Sequence, residues 1–135
     1  MNINPIFPAS PNVGIGANVA ATTNKDGTTA DKVLLFTAGT NGSYVRKIRF
    51  KAMLSTVAGI ARVWLNNGTD ATVATNNSLI ATVALPAIAD IDAADVADVD
   101  IEINEAIPAG YRLYLGAAGV SAANTWQATV YGGDY

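Results

Sequence analysis

The chain has 135 residues and a net charge of −3, and 50% of its residues are hydrophobic whereas only 14% are charged. This length fits one domain with its own core. The charged fraction lies well below the roughly 25% of an ordinary soluble domain, which indicates that a partner covers part of the surface. The chain has no Cys and no His, which excludes thiol nucleophiles, disulfides, His-based triads and the usual zinc sites.

We therefore expect a protein that is not an enzyme, with no catalytic residue, cofactor or metal. The acidic balance argues against binding to nucleic acid. No apolar run approaches the length of a membrane-spanning helix, and no basic residue precedes Lys25, so neither a membrane segment nor a targeting signal is predicted.

The first twelve residues contain three of the five prolines, Pro5, Pro8 and Pro11. Proline fixes φ and has no N–H, so we predict an extended arm over residues 1–12, followed by one domain over residues 13–135. The arm also carries Ile3, Ile6 and Phe7, which need cover. Either the arm lies on its own domain or it docks on a neighbouring subunit.

Short apolar or alternating segments separated by turn residues follow the arm. Eight strands are predicted: Val13–Ala21, Val33–Thr37, Tyr44–Met53, Gly59–Asn66, Leu79–Leu85, Val99–Ile103, Tyr111–Gly116 and Trp126–Tyr131. This pattern is typical of an all-β antiparallel β-sandwich, and eight strands favour a jelly-roll-like arrangement.

Three details of this pattern carry their own predictions. Asn41-Gly42 is a strong hairpin signal between the second and third strands. The continuous apolar run 33–36 predicts a strand that is buried on both faces. Residues 87–98 are rich in Ala and Asp, and they are compatible with a short helix or with a turn.

Charge is unevenly distributed along the chain. Seven of the eleven acidic residues lie between residues 90 and 105, and Lys47, Arg49 and Lys51 form a basic row on one strand face. The row is either a solubilising edge or a surface for a partner. In the second case the partner is an acidic patch on a neighbouring protein, for example the acidic segment of another copy. This makes Lys47, Arg49, Lys51, Asp98, Asp100 and Glu102 possible subunit contacts.

Other sites are weaker. Asp90, Asp92 and Asp95 lack the spacing of a calcium loop, so a solvated face or a docking surface is preferred over calcium. Asp100 and Glu102 form a carboxylate pair of the kind that glycosidases use, but nothing marks a cleft. Trp64 and Trp126 fit core or interface positions better than sugar-stacking positions.

Several segments taken together resemble short structural proteins of tailed bacteriophages and prophages. The segments are Asn4–Phe7 with Pro11, Thr23–Thr28, Thr37–Ser43, Ile48–Ala52, Pro108–Tyr111 and Gly132–Tyr135. Each is turn chemistry by itself, and their order along the chain carries the resemblance. Small jelly-roll proteins in that setting commonly act as capsid decoration, or cement, proteins and often form trimers.

The resemblance implies a protein of the virion, made in the host cytoplasm and located on the capsid surface. Its expected partners are the major capsid protein and itself, as a homotrimer. The predicted capsid- or subunit-binding residues lie in the arm: Ile3, Pro5, Ile6, Phe7 and Pro8. The alternative is a tail or fibre module that binds a host-surface glycan, which predicts an exposed Trp64 or Trp126.

Overall fold

The computed structural model describes residues 8–19, 21, 24–89, 92, 98–119, 123 and 125–135. These residues form eight strands and one short 3-10 turn, Ala74–Asn76. The strands are β1 Ser10–Ala17, β2 Val33–Thr37, β3 Ser43–Ala52, β4 Gly59–Asn66, β5 Asn77–Leu85, β6 Val99–Ile107, β7 Arg112–Ala118 and β8 Trp126–Asp134. The predicted all-β class is confirmed.

The strands pair as a long antiparallel ribbon that is rolled into two sheets. Within the ribbon β1 pairs with β8, β2 with β7, β3 with β6 and β4 with β5. Rolling adds the pairs β3–β8 and β4–β7. The first sheet then has the order β1-β8-β3-β6 and the second has the order β2-β7-β4-β5. The fold is therefore a two-sheet antiparallel β-sandwich, as predicted.

Alternation along the strands builds the core between the sheets. Ile48 and Phe50 of β3 are fully buried, whereas Lys47, Arg49 and Lys51 face outward. The same alternation holds in β8, where Trp126, Ala128 and Val130 are buried. Residues Val99, Ile101 and Ile103 of β6 pack half-buried against this core, as predicted.

The predicted strand bounds hold best in the middle of the chain, where β2 and β4 match residue for residue. β1 begins at Ser10 and ends at Ala17, so it starts three residues earlier than predicted and takes in residues assigned to the arm. Pro11 is tolerated there because β1 is an edge strand. β8 also continues through the glycines to Asp134.

The hairpin predicted at Asn41-Gly42 is wrong. The turn itself is present, with the Gly42 N–H donating to the Gly39 carbonyl at 3.1 Å. However, β2 belongs to the second sheet and β3 to the first, so the turn connects two sheets. Turn residues determine only the local reversal, whereas the burial of both flanking strands determines which strands pair.

The prediction that residues 33–36 are buried on both faces is also wrong. Leu34 is 46% exposed, and Leu35 and Phe36 are both buried. The register of β2 against β7 shifts between Leu34 and Phe36. This bulge lets two consecutive side chains enter the core, so one face of the edge strand stays open.

Two predictions lie mainly outside the described residues. The first concerns the arm, of which Ile3, Pro5, Ile6 and Phe7 lie outside the described residues. The second concerns the Ala/Asp-rich segment, of which residues 90, 91 and 93–97 lie outside them. Just before that segment, Ile88 forms an isolated antiparallel bridge with Thr56.

Candidate interaction surface

The outer face of the first sheet carries the features that the sequence marks for binding. It extends from β1, where the arm joins, across β8 and β3 to the acidic strand β6. Pro8 is the predicted binding residue of the arm that lies within the described part of the chain, and it lies next to Gly133. The Ala9 N–H donates to the Asp134 carbonyl at 2.6 Å. The end of the arm is therefore anchored to this sheet.

An apolar strip runs along the β1 side of this face. It consists of Val13, Ile15 and Tyr131, which are 51%, 65% and 39% exposed. Val13 lies in register with Tyr131 of the neighbouring strand. Gly14 and Gly16 point the other way, onto Leu35, so β1 packs closely on β2 while its larger side chains face solvent. Exposed apolar side chains that are contiguous commonly mark a binding surface.

A shallow groove of about 390 Å³ adjoins the apolar strip. Proline rings, two tyrosines, one arginine and glycine backbone line it: Pro8, Pro11, Tyr44, Arg46, Tyr131, Gly132 and Gly133. The Tyr44 hydroxyl donates to Asn104 Oδ1 at 3.1 Å, which holds the ring at the rim. The groove combines aromatic and cationic groups, a composition common in protein interfaces.

The basic row and the acidic strand meet within one chain. Lys47 Nζ lies 3.0 Å from Asp100 Oδ2, and Arg49 donates to both oxygens of Asp100 at 2.9 and 3.0 Å. Asp98 accepts from Arg49 and Lys51, each at 3.1 Å. We call these five residues the charge ladder. The contacts predicted between copies are thus formed across β3 and β6 of the same chain, and contacts of this surface between copies stay a prediction.

Glu102 differs from the other predicted contact residues. It lies in register with Lys47, but it also lines a second groove, between the open edges of β5 and β6. Among the described residues, Asp98 and Asp100 are the acidic partners in the ion pairs of the ladder, and Glu102 forms none of these pairs.

The ladder shifts the pKa of its two central groups. The Arg49 guanidinium, by its hydrogen bonds, lowers the pKa of Asp100 to about 2, and Lys47 adds to the effect. The same hydrogen bonds raise the pKa of Arg49. Both partners therefore stay charged across the physiological range, and the three cations and two carboxylates give the ladder a net charge of +1.

The lowered pKa predicts a pH-dependent contribution to stability. Because the folded-state pKa of Asp100 lies below the unfolded value, its contribution is present above about pH 4 and is lost as the pH falls toward 2. Asp100→Asn should lower the free energy of unfolding by less than about 1 kcal/mol at pH 7, since the pairs are partly exposed. Urea unfolding at both pH values measures this difference, and an equal difference at pH 7 and pH 2 would contradict the account. Glu105→Gln, on the same strand beside Val45, is the matched control.

Both tryptophans are buried, with 0% exposure for Trp64 and 1% for Trp126. Trp126 belongs to the core. Trp64 lies beneath the loop at Gly27, and its Nε1–H donates to the Lys25 carbonyl at 3.0 Å. The core interpretation of both side chains is confirmed, and neither can stack on a sugar.

The described residues contain no group of three Asp, Glu, His or Cys side chains arranged to hold a metal ion. Of the proposed calcium residues, Asp90 and Asp95 lie outside the described part, and Asp92 lies within it. Asp100, one member of the carboxylate pair, forms ion pairs with Lys47 and Arg49 in the charge ladder. No helix among the described residues is long and apolar enough to cross a membrane.

Sequence reasoning missed the most exposed part of the candidate surface. Val13, Ile15, Tyr44, Arg46 and Tyr131 were assigned to strands without a binding role. The available signal was the alternation of Gly14 and Gly16 with Val13 and Ile15, because small residues on one face imply that the large ones point the other way.

Comparison with known proteins adds little. No family model matches the chain, and no curated protein matches it. A solved structure of infectious bursal disease virus, Gx strain, is similar at 14% sequence identity with a TM-score of 0.31. The match covers all of this chain and 37% of that chain, so the present sequence spans little more than a third of it.

Proposed function

We propose that the protein is a structural protein of a phage virion that decorates and stabilises the assembled capsid. The observation that carries the proposal is the apolar strip, which begins where the arm joins the sheet. Ile15 and Val13 are more than half exposed on a face whose other side carries the paired charges of the ladder. An exposed apolar strip of this kind suits burial against a large partner such as the major capsid protein.

The proposed mechanism is thermodynamic linkage. A protein that binds the assembled shell, and not the separate capsid subunits, stabilises the shell by an amount that grows with its concentration over Kd. The arm and the apolar strip provide two attachment points on one chain, so the second contact forms at high effective concentration. Self-association, which the resemblance implies as a homotrimer, would multiply the number of arms. The protein would be made in the host cytoplasm and located on the capsid surface, without enzymatic activity.

A tail or fibre module that binds a host glycan is the second candidate. Its predicted tryptophan contacts are excluded because both tryptophans are buried. However, Tyr44, Tyr131 and Arg46 line the groove and could contact a sugar instead. Aromatic rings stack on sugar faces, and an arginine binds acidic sugars. Glycan-array binding that Tyr131→Ala abolishes would favour this candidate.

The arm supplies the test of the proposed function. A variant that lacks residues 2–7 should fold, since β1 begins at Ser10, and should lose binding to purified capsids of the encoding phage. Co-sedimentation with these capsids measures occupancy. The length-matched control changes Ile3, Ile6 and Phe7 to Ser and keeps the prolines, and it should lose binding as well. Unchanged occupancy of both variants would overturn the role of the arm.

A further inference from the structure

Strand β5, Asn77–Leu85, forms one edge of the second sheet and carries no charged residue. The sequence has no Asp, Glu, Lys or Arg between Asp70 and Asp90. Among the described strands β5 pairs with β4 alone, so one row of backbone N–H and C=O groups faces outward. An uncharged, exposed edge strand is a template for pairing with another strand.

The other three edges are protected in ways that β5 is not. β1 carries Pro11 and packs on β2. β2 has only five residues and a bulge. β6 carries Asp100, Glu102 and Glu105. Proline, short length and charge are the usual devices against edge pairing. β5 has a single bulge, at Ile80, which leaves Ala81–Leu85 regular.

Exposed apolar side chains are frequent in the part of the chain that leads into this edge strand. Six of the eleven large hydrophobic side chains that are exposed among the described residues lie in the segment between β3 and the middle of β5. They are Leu54, Val57, Ile60, Val73, Leu79 and Ile80. Ile60 lies in register with Ala84, and Leu79 with Trp64, on the outer face of the sheet. Three of the six, Ile60, Leu79 and Ile80, belong to β4 and β5.

We propose that β5 is the site at which two copies of this chain associate, by antiparallel pairing of β5 with β5 of the second copy. The partner must avoid charge repulsion, since each copy carries a net charge of −3 and an acidic β6. Two β5 edges bring no charge of their own to the contact. Antiparallel pairing of a strand with its own copy is self-complementary about a two-fold axis, and it would join the two four-stranded sheets into one of eight strands.

This inference does not rest on the capsid role. The apolar strip lies on the other sheet, so pairing through β5 leaves it accessible. The inference does replace the expected trimer by a two-fold pair. Oligomeric state therefore tests it independently of capsid binding.

Thr82→Lys is the test variant. Thr82 is an exposed residue in the regular part of β5, and a lysine there places like charges close together across the two-fold axis. Thr37→Lys is the matched control, since Thr37 is an exposed residue of β2, the opposite edge of the same sheet. Analytical ultracentrifugation should show a dimer for the wild type, at least a tenfold higher dissociation constant for Thr82→Lys and no change for Thr37→Lys.

Hydrogen exchange of the wild type keeps the proposal testable if the lysine variant misfolds. Amides of residues 81–85 should exchange more slowly as protein concentration rises through the dimer range. A monomer at all concentrations would overturn the proposal. So would a trimer that both lysine variants dissociate, because it would show head-to-tail pairing of β5 with β2. A dimer with no concentration-dependent protection in β5 would overturn it too.

Discussion

Replacing Val13 and Ile15 together with lysine should remove the protein from assembled capsids while leaving it folded. Both side chains point away from the core, at 51% and 65% exposure, so the fold loses little. Burying two such side chains contributes about 3 kcal/mol to binding, and losing this contribution weakens binding roughly a hundredfold. Two added cations in the contact increase the loss, because a buried unpaired charge is costly.

Co-sedimentation with purified capsids, together with far-ultraviolet circular dichroism, measures both parts of this prediction. The matched control replaces Leu54 and Val57 with lysine. These side chains are about equally exposed, and they lie in the loop between β3 and β4, outside the strip. The control should bind like the wild type. A strip variant that is folded and still occupies capsids normally would show that the apolar strip is not the contact.

Replacing Gly14 with valine should be among the most damaging single substitutions in the fold. A Cβ at this position would lie 1.8 Å from the Leu35 carbonyl oxygen, which belongs to backbone and cannot move aside. β1 and β2, which are edge strands of the two sheets, would have to move apart. We expect a loss of about 3 kcal/mol, the upper part of the usual range for overpacking.

Urea unfolding measures this loss, and Gly110→Ala is the control. Gly110 has φ of +74° but no neighbour near its missing Cβ. Its replacement should therefore cost only the backbone term, about 1 kcal/mol. Equal losses at the two glycines would contradict a close approach of β1 to β2.

The fold was largely predictable because its strands alternate. Ile48 and Phe50 inside, with Lys47 and Arg49 outside, follow directly from the period of two. The turn at Asn41-Gly42 was recognised, but its flanking strands lie in different sheets. Local chemistry specifies a reversal of the chain, whereas strand partners depend on the burial of the whole ribbon.

The candidate surface was less predictable because it depends on register. Arg49 and Asp100 are 51 residues apart in sequence, and only the pairing of β3 with β6 joins them in one chain. Trp64 was expected in the core or an interface, and the loop at Lys25 that covers it lies 39 residues away in sequence. A bulge in β2 also exposes Leu34, against the pattern of its neighbours. Such long-range contacts leave no local signal.

The number of copies of this chain per virion tests the central claim most directly. Quantitative gel densitometry or mass spectrometry of purified particles, referenced to the major capsid protein, provides that number. A capsid decoration protein predicts hundreds of copies, in a fixed ratio to the capsid subunits. A few to tens of copies would contradict the proposal and would place the chain in the tail.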